Sequence, residues 1–406
     1  MTDSASVAVR LNPFKQPDAG LPILEGSRQV PWSPYGRILE ERPIFTLHPL
    51  FHAGCYYVQD SSAMYVGHVF RKLLSRSFEG AAGGALQGET PRQKAMGRGP
   101  IRVLDLCAAP GGKTTDLAAS LREACGSDFL LVSNEVMKDR CRILKDNVAR
   151  WGDPNVAVTN VDPAAFARLE GFFDVIVADV PCSGEGMFRK DPRAVEEWSP
   201  EVVQLCAARQ KRILADVWPA LKPGGILIYS TCTYEEAEND DNLEWAAAEL
   251  GGSIVPPENE FADWGVALTR HGNLLRVGEV PGEGQWVGAL VKDGAPDSVR
   301  SGIEALEVLR PERMGLKKGE QKGKDFIPDA DWALSLDFPR GQYPEVALDK
   351  PVALSYLHRD TISLPDAPLG YILVTYKGIP LGFVKNIGRR CNNLYPQARR
   401  ILMDVR

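Results

Sequence analysis

Two cysteines carry the chemistry that this sequence indicates most directly. Cys182 follows the apolar run 175–178 within Asp-Val-Pro-Cys-Ser-Gly, and Cys232 follows the apolar run 225–229 within Ser-Thr-Cys-Thr. Both runs are predicted to be buried strands, so each thiol lies where a strand gives way to a loop. In an open α/β sheet, ligands bind at the carboxyl ends of the strands. Two thiols at this edge therefore indicate nucleophilic chemistry on a bound substrate.

The two strands belong to a regular alternation of strands and helices that begins near residue 101. Apolar runs predict the strands, and the longer stretches between them predict the helices. The predicted strands are 101–106, 129–134, 156–160, 174–178 and 225–230, and the predicted helices are 114–125, 137–151, 200–221 and 235–250. Pieces within 263–293 complete the sheet as a hairpin. The alternation predicts an α/β fold with a mostly parallel, Rossmann-like sheet and helices on both faces.

The loop after the first predicted strand reads Cys-Ala-Ala-Pro-Gly-Gly-Lys over 107–113 and leads into a helix. Its glycines let a ligand approach the backbone, and the helix start offers free N–H groups. The run 112–114, Gly-Lys-Thr, matches the end of a phosphate-binding P-loop, but Cys107 occupies the position of that motif's first glycine. The dinucleotide pattern G-x-G-x-x-G is absent from the sequence. The loop therefore predicts a nucleoside cofactor without a pyrophosphate.

Four acidic residues stand at the ends of successive predicted strands, namely Asp105, Glu135, Asp162 and Asp179. Any one of them alone is more simply explained as a cap or turn residue. As a set beside a glycine-rich loop, they offer acceptors for the hydroxyl and amino groups of a nucleoside. Glu135 is placed to accept both ribose hydroxyl protons. The loop and the acids together predict S-adenosylmethionine as the cofactor.

The composition restricts the class of protein. The chain has 406 residues, of which 44% are hydrophobic and 25% charged, as in ordinary soluble globular proteins. We find neither an apolar run that would span a membrane nor a secretory signal, and we expect no membrane partner. The eight cysteines include no C-x-x-C pair, so we expect no metal site and a cytoplasmic location with free thiols.

Charge is distributed unevenly along the chain. The formal net charge is −6, but residues 351–406 carry eight Lys or Arg and three Asp or Glu, which gives +5 there and −11 elsewhere. A basic appendage on an acidic body can provide a local phosphate-binding surface. A solvated basic tail without a partner is the simpler alternative. Residues 369–385 predict two short strands around a Lys-Gly turn, and hence a small β-rich C-terminal domain.

Five segments of the sequence resemble one family. The chain is similar to the Sun/Nop-type RNA cytosine-C5 methyltransferases, and most closely to their RsmF-like branch, which acts on ribosomal RNA. The similarity covers most of 50–293 and roughly 350–400. The segments are DLCAAPGGKTT at 105–115, ADVPCSGEGMFRKDP at 178–192, LKPGGILIYSTCT at 221–233, YVQDSSAM at 57–64 and PLGFVKNIGRRCNNLYP at 380–396.

The resemblance assigns a role to each predicted site residue. It implies that Cys232 is the nucleophile and that Cys182 assists release of the product. It places Asp179 between the cofactor and the base, Glu135 on the ribose and Asp162 on the adenine side. The cofactor loop would comprise Cys107, Ala108, Ala109, Pro110, Gly111, Gly112 and Lys113.

The predicted chemistry accounts for two thiols. C5 of cytosine is a poor nucleophile, and a thiolate that adds to C6 makes C5 enamine-like, so that it can attack a sulfonium methyl group. A second group then helps remove the C5 proton and allows elimination of the enzyme. Phe188, Arg189 and Lys190 follow the Cys182 motif. We expect the two basic side chains to contact RNA phosphate and Phe188 to stack on a base, unless this is an exposed loop with one packed aromatic.

The resemblance also suggests a division into domains. Residues 1–50 are interpreted as the remnant of an N-terminal RNA-binding segment, and 51–293 as the methyltransferase domain. Residues 294–330 are rich in Gly, Lys and Glu and predict a flexible linker. Residues 331–406 are interpreted as a small basic RNA-binding domain.

Several functions stay open at this point. Methylation of 16S rRNA, alone or within the small ribosomal subunit, is the first hypothesis, and tRNA is an alternative substrate. A non-catalytic RNA-binding ribosome-assembly factor is an alternative from a different class, although a scaffold has no need for Asp179, Cys182 and Cys232. Methylation of DNA is less consistent, because DNA enzymes attack with the cysteine of their Pro-Cys motif and Cys232 would then be unexplained.

Overall fold

The computed structural model describes residues 6–17, 20–82, 99–188, 192–294 and 301–405. An antiparallel sheet opens the chain, in the order β2-β3-β1-β4. Its strands are β1 (Val7–Leu11), β2 (Arg28–Gln29), β3 (Gly36–Leu39) and β4 (Tyr56–Val58). β4 pairs with β1, so the predicted domain boundary at residue 50 is wrong: the N-terminal sheet is completed by a strand from beyond it. Helices α1 (Pro49–His52) and α2 (Tyr65–Ala82) flank β4.

The largest sheet lies in the middle of the chain and confirms the predicted α/β fold. Its path is β11-β12-β13-β9-β8-β5-β6-β7-β14, with β10 beside β13. The pairs from β7 to β9 along this path are parallel, and the other pairs are antiparallel. The strands are β5 (Ile101–Asp105), β6 (Phe129–Asn134), β7 (Val156–Thr159), β8 (Phe173–Asp179), β9 (Leu221–Thr231), β10 (Gly252–Ile254), β11 (Val266–Leu268), β12 (Gly272–Leu275), β13 (Gln285–Lys292) and β14 (Arg313–Met314).

Helices cover both faces of this sheet. Neighbouring strand residues point to opposite faces, so Val103 belongs to one apolar core and Leu104 to the other. Leu117 and Leu144 pack on the Val103 face, whereas Leu214 packs on the Leu104 face. Burial on both faces explains why the strands read as continuous apolar runs rather than as an alternation. The helices are α3 (Gly112–Cys125), α4 (Lys138–Trp151), α5 (Pro192–Glu197), α6 (Pro200–Val217) and α7 (Asp240–Leu250).

A small β-rich unit ends the chain, as predicted. Its sheet has the order β17-β18-β19-β20, and the turn between β18 and β19 is Lys377-Gly378, both of which have positive φ. Two left-handed residues match the right-handed twist of a two-residue hairpin. The elements are α8 (Ala330–Ala333), β17 (Glu345–Ala347), α9 (Lys350–His358), β18 (Gly370–Tyr376), β19 (Ile379–Asn386) and β20 (Cys391–Asn393).

The prediction of a linker over 294–330 is wrong for residues 301–330. Leu306 and Leu309 are buried in the same core as Leu104, and β14 adds an edge strand to the central sheet. The strands β15 (Gly319–Lys322) and β16 (Asp325–Pro328) then form a hairpin. The segment is polar in composition because the hairpin is exposed to solvent. Leu306 and Leu309 anchor the beginning of the segment in the core. Residues 295–300 lie outside the described part of the chain.

An ion-pair cluster fixes the end of the chain to the central sheet through α4. Arg399 is buried and bonds to Asp331, and its Nε lies 3.3 Å from Asp146 Oδ1 on α4. Arg313 Nη1 lies 3.1 Å from Asp331 Oδ2. Burial opposes ionisation of Asp331, but the two arginines outweigh it and lower its pKa. None of the helices in the described ranges is long and apolar enough to cross a membrane.

We expect Arg399→Met to lower the free energy of unfolding by about 3 kcal/mol, because it leaves a buried carboxylate short of a cation. Urea unfolding followed by tryptophan fluorescence measures this change. The control is Arg400→Met, which removes an exposed guanidinium next to it. Equal losses in the two variants would contradict the docking role of Arg399.

Candidate active site

The two predicted cysteines meet at the carboxyl edge of the central sheet. β8 and β9 are parallel neighbours with Asp179 opposite Ser230, so the loops that follow them leave the sheet side by side. Cys182 Sγ lies 3.1 Å from Cys232 Sγ, and the Cys232 N–H donates to Cys182 Sγ at 3.3 Å. The hydrogen bond to Cys232, together with burial, raises the pKa of Cys182 well above its usual value. Cys182 therefore keeps its proton and can donate it toward the Cys232 sulfur.

Further bonds hold the two cysteine loops together. The Gly186 N–H donates to the Cys232 carbonyl at 2.8 Å. Glu185 Oε2 accepts from Thr233 Oγ1 at 2.7 Å and from the Tyr234 N–H at 2.6 Å. A Cβ at position 186 would lie 2.9 Å from the Cys232 carbonyl oxygen, so only glycine allows this approach. The sulfur–sulfur contact is thus fixed by backbone packing on either side of it.

Asp179 lies beside the cysteines in a pair with Lys113. Lys113 Nζ donates to Asp179 Oδ2 at 2.8 Å, while Ser230 Oγ and Gln285 Nε2 donate to Oδ1 at 2.7 and 3.0 Å. Burial alone would lower the pKa of Lys113, but the charge of Asp179 outweighs it and the pKa is raised. The pair is therefore ionic. It joins the loop after β5 to the end of β8, at the point where the strand order reverses and α/β sheets bind ligands.

Hydrogen bonds from the end of β6 and from α4 fix the conformation of the predicted cofactor loop. The Ala108 N–H donates to the Asn134 carbonyl at 2.8 Å. Arg140 Nη2 donates to the Ala109 carbonyl and Asn147 Nδ2 to the Pro110 carbonyl, both at 2.8 Å. Gly111 has φ of 110°, in the left-handed region that glycine favours, and it precedes α3. The Ala109 and Pro110 carbonyls thus accept hydrogen bonds from side chains of α4. The start of α3 faces the carboxyl edge of the sheet.

Three stretches of the chain match known families. Residues 98–249 match the family described as 16S rRNA methyltransferase RsmB/F, residues 1–61 match the N-terminal domain of 16S rRNA methyltransferase RsmF, and residues 343–401 match the methyltransferase RsmF PUA domain. The ribosomal RNA small subunit methyltransferase F of Serratia proteamaculans is 30% identical over 401 residues, covering 85% of this chain and 78% of that protein. The chain belongs to the RsmF family of 16S rRNA methyltransferases.

Other comparisons agree with this membership. The protein of the same name from Escherichia coli O17:K52:H18 is 31% identical over 358 residues, which cover 75% of this chain and 74% of that protein. A methyltransferase homolog from Pyrococcus horikoshii superposes with a TM-score of 0.51 at 25% identity, covering 71% of this chain and 87% of its own. NSun6 from the same organism shares the fold, with a TM-score of 0.52, 16% identity and coverage of 72% and 91%. This RsmF-family chain is thus an RNA methyltransferase.

Glu135 and Asp162 lie at successive strand ends, as the sequence predicts. Glu135 Oε1 accepts the Met137 N–H at 2.8 Å. Its other oxygen, Oε2, is buried without a hydrogen bond and lies 3.2 Å from Arg140 Nη1. Asp162 is exposed, and its Oδ1 accepts the Ala164 N–H at 3.0 Å as the cap of a short 3-10 helix. Asp162 is thus a cap residue, and its adenine role stays a prediction.

The RNA-contact residues predicted after Cys182 are described only in part. Phe188 is half-buried and ends a turn in which its N–H donates to the Glu185 carbonyl at 3.1 Å. Arg189 and Lys190 lie outside the described residues. Cys107 is half-buried, and burial raises its pKa, so its thiol is kept neutral within the loop.

Sequence reasoning missed a set of buried polar side chains behind Cys182. Gln285 precedes the apolar run 286–291 within the predicted hairpin, and Glu238 lies in the acidic run Glu-Glu-Ala-Glu-Asn-Asp at the start of the predicted helix 235–250. Both are buried, together with Gln210 and Asn242. A polar residue in an otherwise apolar strand was the available signal for Gln285. Nothing in the spacing distinguishes buried Glu238 from Glu236, which is exposed two positions earlier.

Asp105 gives the site a pH-dependent stability. Its carboxyl is fully buried and accepts from Thr114 Oγ1 at 2.6 Å, and burial raises its pKa from 3.8 to about 7. A raised carboxyl pKa means that the folded state binds the proton more tightly than the unfolded chain. Stability from this group is therefore complete below the unfolded pKa and is lost as the pH rises through the folded pKa.

We expect the unfolding free energy of the wild type, relative to Asp105→Asn, to fall by up to about 4 kcal/mol between pH 4 and pH 7.5. Asparagine cannot ionise, so the difference isolates this carboxyl. Denaturant unfolding at several pH values measures it. Asp139→Asn is the control, because it removes a carboxyl whose side chain is 93% exposed and leaves the buried carboxyl of Asp105 in place. A difference between wild type and Asp105→Asn that does not change with pH would contradict the raised pKa of Asp105.

Proposed function

We propose that this chain transfers a methyl group from S-adenosylmethionine to C5 of a cytosine in 16S rRNA, with Cys232 as the nucleophile. The contact of 3.1 Å between the Cys182 and Cys232 sulfurs, beside the Lys113–Asp179 pair, carries the proposal. Membership in the RsmF family supports RNA as the substrate class, and the relatives named above support 16S rRNA.

The residues at the sheet edge fit a nucleoside cofactor. Glu135 offers a buried oxygen without a hydrogen bond, which suits a ribose hydroxyl. Val136 and Met137 next to it are 56% and 59% exposed and form an apolar pair on which an aromatic base can pack. We assign the loop 107–113, Glu135 and Asp162 to the cofactor. When bound, S-adenosylmethionine supplies an electrophilic methyl group on its sulfonium.

Cys232 forms the covalent bond to the base. Its sulfur adds to C6, and the electron pair of the C5–C6 double bond becomes available at C5 for the methyl group. The Cys182 thiol lies 3.1 Å from the Cys232 sulfur and can donate a hydrogen bond to it. Lys113, held by Asp179, places a positive charge at the same edge, where electron density is pushed onto the ring.

Release of the product restores the aromatic ring. A base removes the proton from C5, its electron pair reforms the C5–C6 double bond, and the C6–S bond breaks so that Cys232 leaves as a thiolate. We assign Cys182 to this release, because its sulfur is the polar side-chain atom placed next to the bond that breaks. The C5 proton passes to solvent, and the Cys182 thiol donates a hydrogen bond to the departing Cys232 thiolate across the 3.1 Å contact.

The remaining parts of the chain support an RNA partner. The C-terminal unit matches an RsmF PUA domain, and we propose that it binds RNA outside the target cytosine. All eight cysteines are free thiols, in keeping with a cytoplasmic location, which we also propose.

Cys232→Ala is expected to abolish methyl transfer, with a loss of at least about 10³-fold, since no other group supplies the nucleophile. Transfer of tritium from labelled S-adenosylmethionine to 16S rRNA, to small subunits and to tRNA measures both the reaction and the substrate. Cys391→Ala is the control, because this buried thiol lies in the C-terminal unit. Full activity of Cys232→Ala would refute the mechanism, and labelling of tRNA alone would refute the substrate.

Cys182→Ala is expected to methylate once and then remain attached to the RNA. The covalent adduct should survive denaturation and appear as a shifted band on a denaturing gel, labelled from the cofactor. The Cys182→Ala/Cys232→Ala double variant should give no adduct. Normal multiple turnover by Cys182→Ala would contradict the release role.

A further inference from the structure

The peptide groups on both sides of Cys182 are held from behind by two buried side chains. Glu238 Oε2 accepts the Ser183 N–H at 3.1 Å and Gln210 Nε2 at 2.7 Å. Gln210 Nε2 also donates to the Pro181 carbonyl at 3.0 Å. We call Glu238 and Gln210 the Cys182 clamp. It fixes the residues immediately before and after Cys182 without touching the sulfur.

The orientation of the clamp is itself determined by its surroundings. Gln210 Oε1 accepts from Tyr229 Oη at 3.0 Å and from Asn242 Nδ2 at 2.7 Å. Two donors on this oxygen require the amide nitrogen of Gln210 to face Glu238 and the Pro181 carbonyl. Glu238, Gln210, Tyr229 and Asn242 each have 0% of their surface exposed. The Gln210 amide has one favourable orientation, because turning it round would place its oxygen against Glu238 Oε2 and the Pro181 carbonyl.

A buried carboxylate at position 238 lowers the stability of the fold more than a neutral side chain would. Among the described residues, no Lys, Arg or His forms an ion pair with it, and burial raises its pKa. A buried carboxylate without a cation costs stability unless several donors face it. Here the donors come from the Cys182 loop and from Gln210, so the carboxylate is matched to this loop rather than to the fold at large.

We infer that Glu238 is a positioning residue for Cys182, which holds the Cys182 thiol against Cys232 for the release step. The inference rests on the proposed function, and it adds a residue and a step to it. The Ser183 N–H faces both carboxylate oxygens, Oε2 at 3.1 Å and Oε1 at 3.4 Å, whereas the amide of a glutamine that keeps its oxygen at the Oε2 position would turn an NH2 group toward this N–H. Glu238→Gln therefore keeps the volume, removes one bond of the clamp and lets the Cys182 loop move.

The experiment compares the first methyl transfer with steady-state turnover on 16S rRNA. In Glu238→Gln we expect the first transfer to stay within about threefold of wild type. Steady-state turnover should fall about 10- to 100-fold, because small misplacements of a reacting group have effects of this size. The covalent enzyme–RNA adduct should accumulate on a denaturing gel. A residue with a merely structural role would lower both rates together and trap no adduct.

Asp174 provides a control matched to Glu238, because it is also a buried carboxylate. It lies on β8, the strand that leads to Cys182. It is a buried carboxylate at the start of β8, opposite to the edge that carries the cysteines, and its oxygens lie 2.5 Å from Lys222 Nζ and 2.8 Å from the Arg102 N–H. Asp174→Asn should lower stability without trapping an adduct. If Glu238→Gln does not fold, Gln210→Met is used instead. It removes the hydrogen bond to the Pro181 carbonyl, and we expect this variant to trap the adduct.

The outcomes separate this inference from the proposed function. If Cys182→Ala traps the adduct and neither clamp variant does, Glu238 does not position Cys182, while the proposed function stands. If Cys182→Ala traps none, the release role of Cys182 fails and the inference fails with it. Adduct in Asp174→Asn at the level of Glu238→Gln would also overturn the inference, because any loss of a buried carboxylate bond would then suffice.

Discussion

The contact between the Cys182 and Cys232 sulfurs depends on one constraint, the parallel pairing of β8 with β9. The two cysteines are 50 positions apart, and α5 and α6 intervene between their strands. Pairing of Asp179 with Ser230 sets both loops to leave the sheet at the same height. The ladder is stable because Ile176 and Leu227 lie in one apolar core while Val175 and Ile226 lie in the other. The chemistry is thus a consequence of a sheet buried on both faces.

The polar side chains at the carboxyl edge of the sheet are fixed in place by their hydrogen bonds, because leaving a buried polar group unpaired costs free energy. Asp179 accepts from Lys113, Ser230 and Gln285, which come from the loop after β5, from β9 and from β13. A shift of any of these elements would remove one of the donors that this half-buried charge faces. The ion pair and the hydrogen bonds therefore hold the 107–113 loop in register with the two cysteine loops.

The C-terminal unit is tied to the same body by charge. Arg399 connects Asp331 near the start of this unit to Asp146 on α4, the helix whose Asn147 contacts the cofactor loop at Pro110. Leu306 and Leu309 fix the segment that leads to it. The unit that matches the RsmF PUA domain is therefore held at a defined distance from the cysteines.

The sequence by itself determined the order of strands and helices, the position of the cysteines at strand ends and the character of the 107–113 loop. Each of these follows from local patterns, namely apolar runs, glycines and the residues beside them. The tertiary structure alone decided that 301–330 is folded and that Glu238 lies buried behind Cys182. Acidic and glycine-rich segments have the same composition whether solvated or packed, because their partners come from distant parts of the chain. Burial and pairing of polar groups are properties of the assembled sheet.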